Sequence, residues 1–226
     1  KALYVIAPTN KACEVLVKKL PKNSNICTIF SLLYGQPEID KEGIYRWIPR
    51  EEPISNSIII VDEASMLTFE IVEDLRMSSE KNLIIYSGDI FQLEPIGKNS
   101  DIFELDNQFE LTEVKRTDNS ILNLATTIRT LKRNVYCKDT EDIKILKYQI
   151  DFLKHYTEEY VKNDDSIIIV ATNILRNELT AHIRRILEFK DTLNPNEKLI
   201  SIANSNGFSN GSIFKVETVK MLDRIK

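Results

Sequence analysis

The chain is poor in the residues that build phosphate cradles, metal centres and membrane spans. Its six glycines stand at 35, 43, 88, 97, 207 and 211. None begins the Gly-x-x-x-x-Gly-Lys-Ser/Thr loop, whose backbone amides cradle phosphates while its lysine neutralises them. Gly97-Lys98-Asn99-Ser100 imitates only the end of such a loop: the residue five before Gly97 is Gln92, and the serine stands one place late. Cys13, Cys27 and Cys137 are odd in number and lack metal-ligand spacing, and with two histidines they do not make a zinc site. Reduced intracellular thiols fit this usage. No apolar run approaches the roughly 20 residues of a membrane span. Positive charge is not in surplus either, since the net charge is −4. Composition therefore does not advertise nucleic-acid binding. A protein that grips a strand with hydroxyls, backbone amides and a few local cations needs no basic total.

What is present reads as a globular α/β protein. With 226 residues, 42% hydrophobic and 28% charged, the chain suits one large domain or two small ones. Four short β-type runs, at 3–6, 58–61, 83–86 and 167–170, alternate with helical patterns at 11–20, 64–76, 120–131 and 173–187. Such alternation predicts right-handed crossovers and a parallel sheet. Two stretches break the pattern. Residues 35–56 set Gly35, Pro37, Gly43, Pro49 and Pro53 around Ile44-Tyr45-Arg46-Trp47-Ile48, which predicts a small inserted β-ribbon. Residues 132–165 are polar and mostly helical in pattern. The organisation expected is a first lobe at 1–34 and 57–130, a ribbon at 35–56 and a second lobe at 131–226. The opening Leu3-Tyr4-Val5-Ile6 reads as a strand rather than a signal peptide. Lys1 in place of Met, at the edge of a strand, suggests a fragment.

Chemistry concentrates after two of the strands. Ile58-Ile59-Ile60-Val61 has no polar alternation and predicts a strand buried on both faces. Asp62 and Glu63 follow at its C-terminal end, the edge where open α/β sheets bind ligands. A carboxylate pair there suits a magnesium nucleotide, one acid holding the ion and the other polarising a water. The plainer reading is a helix N-terminus, where acids favour the dipole. Gly88-Asp89-Ile90-Phe91-Gln92-Leu93-Glu94-Pro95 follows the strand at 83–86. Gln92 both accepts and donates, so it can orient a water near a γ-phosphate; a glycine turn carrying an Asp is the alternative. Arg116, at the predicted lobe junction, can reach a nucleotide held by the other lobe or be an ordinary surface charge.

In order along the chain, Ala7-Pro8-Thr9-Asn10-Lys11-Ala12, Thr28-Ile29-Phe30-Ser31, Val61-Asp62-Glu63-Ala64-Ser65-Met66, Gly88-Asp89 with Gln92-Leu93 and Pro95, and Leu111-Thr112-Glu113-Val114-Lys115-Arg116 resemble the motifs of superfamily 1 DNA helicases. The RecD-like branch, which moves 5′ to 3′, fits best, and within it the Dda-like phage helicases. The resemblance covers nearly the whole chain, more loosely over 132–165. It implies a RecA-like P-loop NTPase fold with part of a second such lobe, ATP and Mg²⁺ as cofactors, and ATP-driven translocation with duplex unwinding.

The resemblance also implies roles. Asp62 is expected to hold Mg²⁺, Glu63 to act as base, and Gln92 to sense the γ-phosphate, with Gly88 and Asp89 shaping its loop. Arg116 is expected to be the arginine finger. Pro8, Thr9, Asn10, Thr28 and Phe30 match strand-gripping segments. Phe30 stands where the family usually has histidine, and an aromatic there can stack on a base. Tyr45 matches the tip of a strand-separating pin, with Trp47 beside it or in a mini-core under the ribbon. Thr172 and Asn173 match the grip of the second lobe or form a helix cap. Asn210 and Gly211 close an Asn-Gly turn that otherwise reads as a hairpin. The expected partners are single-stranded and fork DNA, with single-strand-binding or replication proteins. A monomer is expected, with no membrane, in the cytoplasm of a bacterial or phage-infected cell or in a nuclear or viral-factory setting. The missing phosphate loop and the missing late motifs of the family's second lobe, with their second arginine and Thr-x-His-x-x-Gln-like run, imply a helicase fragment inactive alone. A non-catalytic helicase-like nucleic-acid-binding module and a different P-loop ATPase are the alternatives. His155, His182 and the Glu51-Glu52 pair read as ordinary surface or core residues.

Overall fold

The structure, a computed structural model, describes residues 1–35, 38–39, 41–42, 45–52, 54–78, 81–92, 94–113, 120–131, 138–146, 149–163, 165–202 and 210–219. The chain divides into two compact units, Lys1–Glu110 with Ile200–Ile213, and Leu111–Leu199 with Phe214–Lys226.

The first unit is built on strands β1 (Leu3–Ala7), β2 (Asn25–Thr28), β5 (Ile58–Val61) and β6 (Leu83–Tyr86). Between them run helices α1 (Asn10–Lys19), α2 (Ile29–Leu33) and α3 (Phe69–Met77), and the two-residue strands β3 (Glu38–Ile39) and β4 (Tyr45–Arg46). The main sheet has the order β2-β1-β5-β6, and its three pairings are all parallel. The predicted strands at 58–61 and 83–86 form as expected, and the one expected at 3–6 extends to Ala7. Strand β2 was not anticipated, because Asn25-Ile26-Cys27-Thr28 has neither a long apolar run nor strict alternation.

In parallel register, paired residues face the same way. Tyr4, Ile6, Ile59, Val61, Ile84 and Tyr86 therefore share one face. This face packs on Ile29, Leu32 and Leu33 of α2, Val72 and Leu75 of α3, and Ala64, Leu67 and Ile102. Ile6, Ile59, Val61, Val72 and Leu75 are completely buried there. Burial of one such side chain stabilises by about 1.5–3 kcal/mol. The opposite face is closed over β1, where Val5 and Ala7 are buried, but opens towards β6, where Leu83 and Ile85 are 53% and 45% exposed. Strand β5 is thus fully buried on one face and half-buried on the other, short of the double burial expected from its sequence. The predicted helix over 64–76 is split. A 3₁₀ turn at Ala64–Met66 precedes α3, because Glu63 leaves the strand in a left-handed conformation, φ +52°.

The inserted ribbon forms as an antiparallel pair, with Glu38 opposite Arg46 and Ile39 opposite Tyr45. Trp47 lies 5.1 Å from the Phe30 ring and 6.1 Å from the Tyr34 ring, centroid to centroid. The Tyr34 hydroxyl in turn donates to the Asp74 carboxylate, tying α2 to α3.

The second unit contains α4 (Ser120–Leu131), α5 (Gln149–Lys162) and α6 (Asn173–Ile186). Strand β7 (Lys198–Ile200) pairs with β8 (Ile213–Lys215). Leu153 and Leu179 are buried. Arg184, in the last turn of α6, forms an ion pair with the buried Glu197. The strand expected at 167–170 does not form. Its residues have no regular secondary structure and no strand partner among those described, and Ile167 and Ile169 are 57% and 88% exposed. Among the described residues no helix is long and apolar enough to cross a membrane.

Candidate functional site at the carboxyl edge of the sheet

Parallel pairing brings four turns to one edge. Ala7 is level with Thr28, Ile6 with Val61, and Val61 with Tyr86. The residues after each strand therefore emerge side by side: Pro8-Thr9-Asn10 after β1, Thr28-Ile29-Phe30 at the end of β2, Asp62-Glu63 after β5, and Ser87-Gly88-Asp89 after β6. Neighbouring strands lie about 4.8 Å apart, so Thr28 and Asp62 are about 10 Å apart along this edge. Hydroxyl-bearing turns occupy one half and acidic and amide-bearing turns the other.

The acidic half is held by the backbone. The Asp62 N–H donates to the Ile6 carbonyl at 2.8 Å, the Ser87 N–H to Val61 at 2.8 Å, and the Ala64 N–H to Ser87 at 2.8 Å. Between them Glu63 keeps its positive φ, which costs a residue with a Cβ about 1–2 kcal/mol. Backbone strain of this kind persists only where its surroundings impose it, and it clusters at functional positions. Asp62 and Glu63 are both half-buried. Gly88 lies so close to this turn that a Cβ on it would stand 2.8 Å from the Ser65 nitrogen and 3.1 Å from the Ala64 nitrogen. Only glycine fits. The Ser65 hydroxyl is buried without a hydrogen-bond partner among the described residues.

Beyond Gly88 the chain turns on Asp89. The Phe91 N–H donates to the Asp89 carboxylate at 3.0 Å, and the Gln92 N–H to the Asp89 carbonyl at 3.0 Å. Asp89 thus shapes the turn that presents Gln92, whose side chain is exposed. Leu93 and Arg116 lie outside the described residues.

The hydroxyl half is a pair of helix caps. Thr9 accepts from the Ala12 N–H at 3.2 Å at the start of α1. Thr28 accepts from the Ser31 N–H at 3.1 Å at the start of α2, and its Oγ1 lies 2.9 Å from the Ser31 hydroxyl. A capping hydroxyl accepts with a lone pair and keeps its own proton to donate. Capping and gripping a phosphate are therefore compatible. Thr172 repeats the arrangement in the second unit, accepting from the Leu175 N–H at 3.2 Å. Its backbone (φ −131°, ψ 150°) nearly matches that of Thr9 (φ −126°, ψ 151°), and each is followed by an asparagine. The cap anticipated as the plain reading of Thr172 is thus present.

Phe30 is half-buried and Trp47 46% exposed in the aromatic cluster. Trp47 packs as the mini-core reading expected while keeping part of its ring in solvent. The Tyr45 backbone lies in β4, and its side chain is outside the described residues. Asn210 and Gly211 lie in the turn before β8, where Gly211 has φ +87°; residues 203–209 are outside the described set. Arg50 was missed in the sequence. Its guanidinium donates to the Ser31 carbonyl at 3.0 Å, placing a cation beside Thr28 and Phe30. Proximity in space was the signal, and sequence spacing did not carry it. Burial raises the pKa of both Cys13 and Cys27, so neither is poised as a thiolate. The groove lined by Ile143, Ile145, Leu146, Phe152 and His155 belongs to the second unit and holds none of the predicted site residues.

Residues 1–98 match the family model described as AAA domain. The sheet unit is similar to an AAA domain. Its four-stranded parallel sheet with flanking helices is an α/β fold of the RecA-like P-loop type, as expected. That similarity supports nucleotide-dependent activity in general. An uncharacterized protein of Acanthamoeba polyphaga mimivirus is 32% identical over 141 residues, which cover 51% of this chain and 28% of that protein. An uncharacterized protein of Methanocaldococcus jannaschii is 24% identical over 208 residues, 88% of this chain and 16% of that protein. The chain thus spans under a third of the length of these relatives.

Among the described residues no group of three His, Cys, Asp or Glu side chains converges. Magnesium does not need one, since it takes one or two carboxylates and fills its shell with water and phosphate oxygens. Asp62 and Glu63 supply such a set.

Proposed function

We propose that this chain is the motor portion of an ATP-dependent superfamily 1 DNA helicase of the RecD-like branch, closest in kind to the Dda-like phage enzymes, moving 5′ to 3′ on single-stranded DNA. The observation that carries the reading is the division of one sheet edge: strained Glu63 and the Gln92 turn on one half, capping threonines with an aromatic and Arg50 on the other. Such an edge brings nucleotide chemistry and strand grip onto a single rigid sheet.

In this reading Asp62 holds Mg²⁺ on its carboxylate, and the ion supplies charge neutralisation to the phosphates. Glu63 accepts a proton from the attacking water, a role its fixed backbone suits. Gln92 orients that water through its amide. Thr9, Thr28 and Thr172 donate their hydroxyl protons to backbone phosphates, and Phe30 and Trp47 offer ring faces to bases. Arg116 is proposed as the arginine finger and Tyr45 as the tip of the pin. The partners proposed are single-stranded and fork DNA, engaged by a monomer.

The test is hydrolysis and unwinding by the protein as its gene encodes it. Glu63→Gln is expected to lower DNA-stimulated turnover by about 10²–10⁴-fold while nucleotide binding survives. Normal turnover in that variant would overturn the assignment. Strand binding without any turnover in the unaltered protein would favour a non-catalytic binding module.

A further inference from the structure

The segment that presents Asp89 and Gln92 is fastened at both ends to the residues that follow Glu63. At its near end, Gly88 lies against the backbone of Ala64 and Ser65, and Ser87 accepts from the Ala64 N–H. At its far end, the Phe69 N–H donates to the Lys98 carbonyl at 2.9 Å, and Thr68 and Asn99 form an antiparallel bridge. Gly97 turns the chain there at φ +139°, and a Cβ added to it would stand 3.3 Å from the Thr68 methyl. The Lys98 ammonium stands 3.9 Å from the centre of the Phe69 ring.

One further fastening is ionic. Arg76, in the last turn of α3, donates from Nη2 to Asp101 Oδ1 at 2.8 Å and from Nη1 to Oδ2 at 3.4 Å. Its Nη1 also donates to Glu73 Oε1 at 2.7 Å. A planar guanidinium that meets a carboxylate with two nitrogens fixes direction as well as distance. Arg76 therefore sets where the chain ends its excursion from Gly88. Both ends of that excursion rest on one stretch, 64–76, which begins directly after Glu63.

We propose that Arg76, acting through Asp101, is a positioning residue that holds the Gln92 turn in a fixed relation to Glu63. The inference rests on the nucleotide-hydrolysing reading of this edge. Arg76 does not touch the reacting atoms. Without its fork the far anchor loosens, the Gln92 amide samples a wider range, and the water it orients is less often aligned with Glu63. A misplacement of about 1 Å at a reacting centre lowers rate about 100-fold.

The experiment compares Arg76→Gln, Asp101→Asn and the double variant in two assays. The first is hydrogen exchange of the chain without nucleotide. Amides of residues 88–92 are expected to exchange faster in all three variants, while those of β1 and β5 stay as protected as in the unaltered chain. The second is steady-state hydrolysis by the protein as its gene encodes it. The expected result is a 10–100-fold fall in kcat with KM for nucleotide unchanged, and a double variant no worse than either single one. Unchanged exchange at 88–92 would overturn the proposal. So would faster exchange spread equally over β1 and β5, since that is general loosening, or losses that add in the double variant. If exchange changes as expected but Glu63→Gln keeps full turnover, the positioning stands and the hydrolytic reading falls.

Discussion

The chain contains one pentapeptide twice. Ser57-Ile58-Ile59-Ile60-Val61 and Ser166-Ile167-Ile168-Ile169-Val170 are identical in sequence and differ in fate. The first is a central strand, paired on both sides by β1 and β6, with Ile59 and Val61 fully buried. The second has no strand partner among the described residues, and its Ile169 is 88% exposed. The local preference of β-branched residues for extended backbone is the same in both. A strand becomes a strand when neighbours take its hydrogen bonds and a face takes its side chains. Strands β1 and β6, with α2 and α3, do this for the first copy.

The residues that follow the two copies also differ, and this gives the largest expected effect. The first leads into Asp62-Glu63, the second into Ala171-Thr172-Asn173. Replacing Glu63 by Gln is expected to lower DNA-stimulated hydrolysis by about 10²–10⁴-fold, the usual loss of a positioned base. Replacing Thr172 by Ala should leave the rate constant for hydrolysis within about threefold and weaken strand binding instead. A steady-state assay beside a DNA titration reads both, and a reversed pattern would exchange the roles of the two positions.

Stability gives the next contrast. Ile59→Ala should cost about 2–5 kcal/mol, as for a buried aliphatic side chain. Ile169→Ala, in the same sequence context, should stay within about 0.5 kcal/mol, as for exposed substitutions. Equal losses in denaturant unfolding would mean that the second copy is packed as the first is.

A smaller effect tests the turn after β6. Gly88→Ala is expected to destabilise the sheet unit by about 1–3 kcal/mol, because the added methyl meets backbone nitrogen rather than a side chain that can swing away. Thermal unfolding checks it, and an unchanged midpoint would show that the turn has room. Below this come the caps. Thr9→Ala and Thr172→Ala should each cost about 1 kcal/mol, and their matched backbone angles predict matched losses.

The smallest effect is a pH dependence. The hydrogen bond from Arg76 holds the Asp101 carboxyl below the usual carboxylate range. A carboxyl lowered in the folded state stabilises above its unfolded pKa, about 4, and loses that contribution as pH falls through the lower folded value. The unaltered chain should therefore lose stability more steeply than Asp101→Asn below about pH 4. Parallel acid unfolding curves would show that the ion pair contributes nothing, as many exposed pairs do.

Much of the sheet was legible before any coordinates. The runs at 58–61 and 83–86 and the helix at Ser120–Leu131 stand where hydrophobic pattern put them. The ribbon was legible from Gly and Pro crowding. Strand β2 was not, because its four residues carry an Asn and a Thr and are strand only by pairing with β1. The break after Glu63 was also hidden. Apolar spacing across 64–76 suits a continuous helix, whereas the left-handed Glu63 and the hydrogen bond from Ala64 to Ser87 force a 3₁₀ turn first. Asp62, Glu63 and Gln92 were singled out from residue type and position after strands. Arg50 and Arg76 were not found, because their partners stand 19 and 25 residues away.

By itself the sequence determined the periodicities, the acid pair, the glycine at 88 and the three threonines that start helices. These follow from short-range physics: backbone propensity, the steric freedom of glycine, and hydroxyls within reach of the third amide along. Tertiary structure alone decided which Ser-Ile-Ile-Ile-Val becomes a strand, which face of it is buried, and that four distant turns share one edge. Those outcomes depend on parallel register and on side chains far apart in the chain, and no local pattern encodes them.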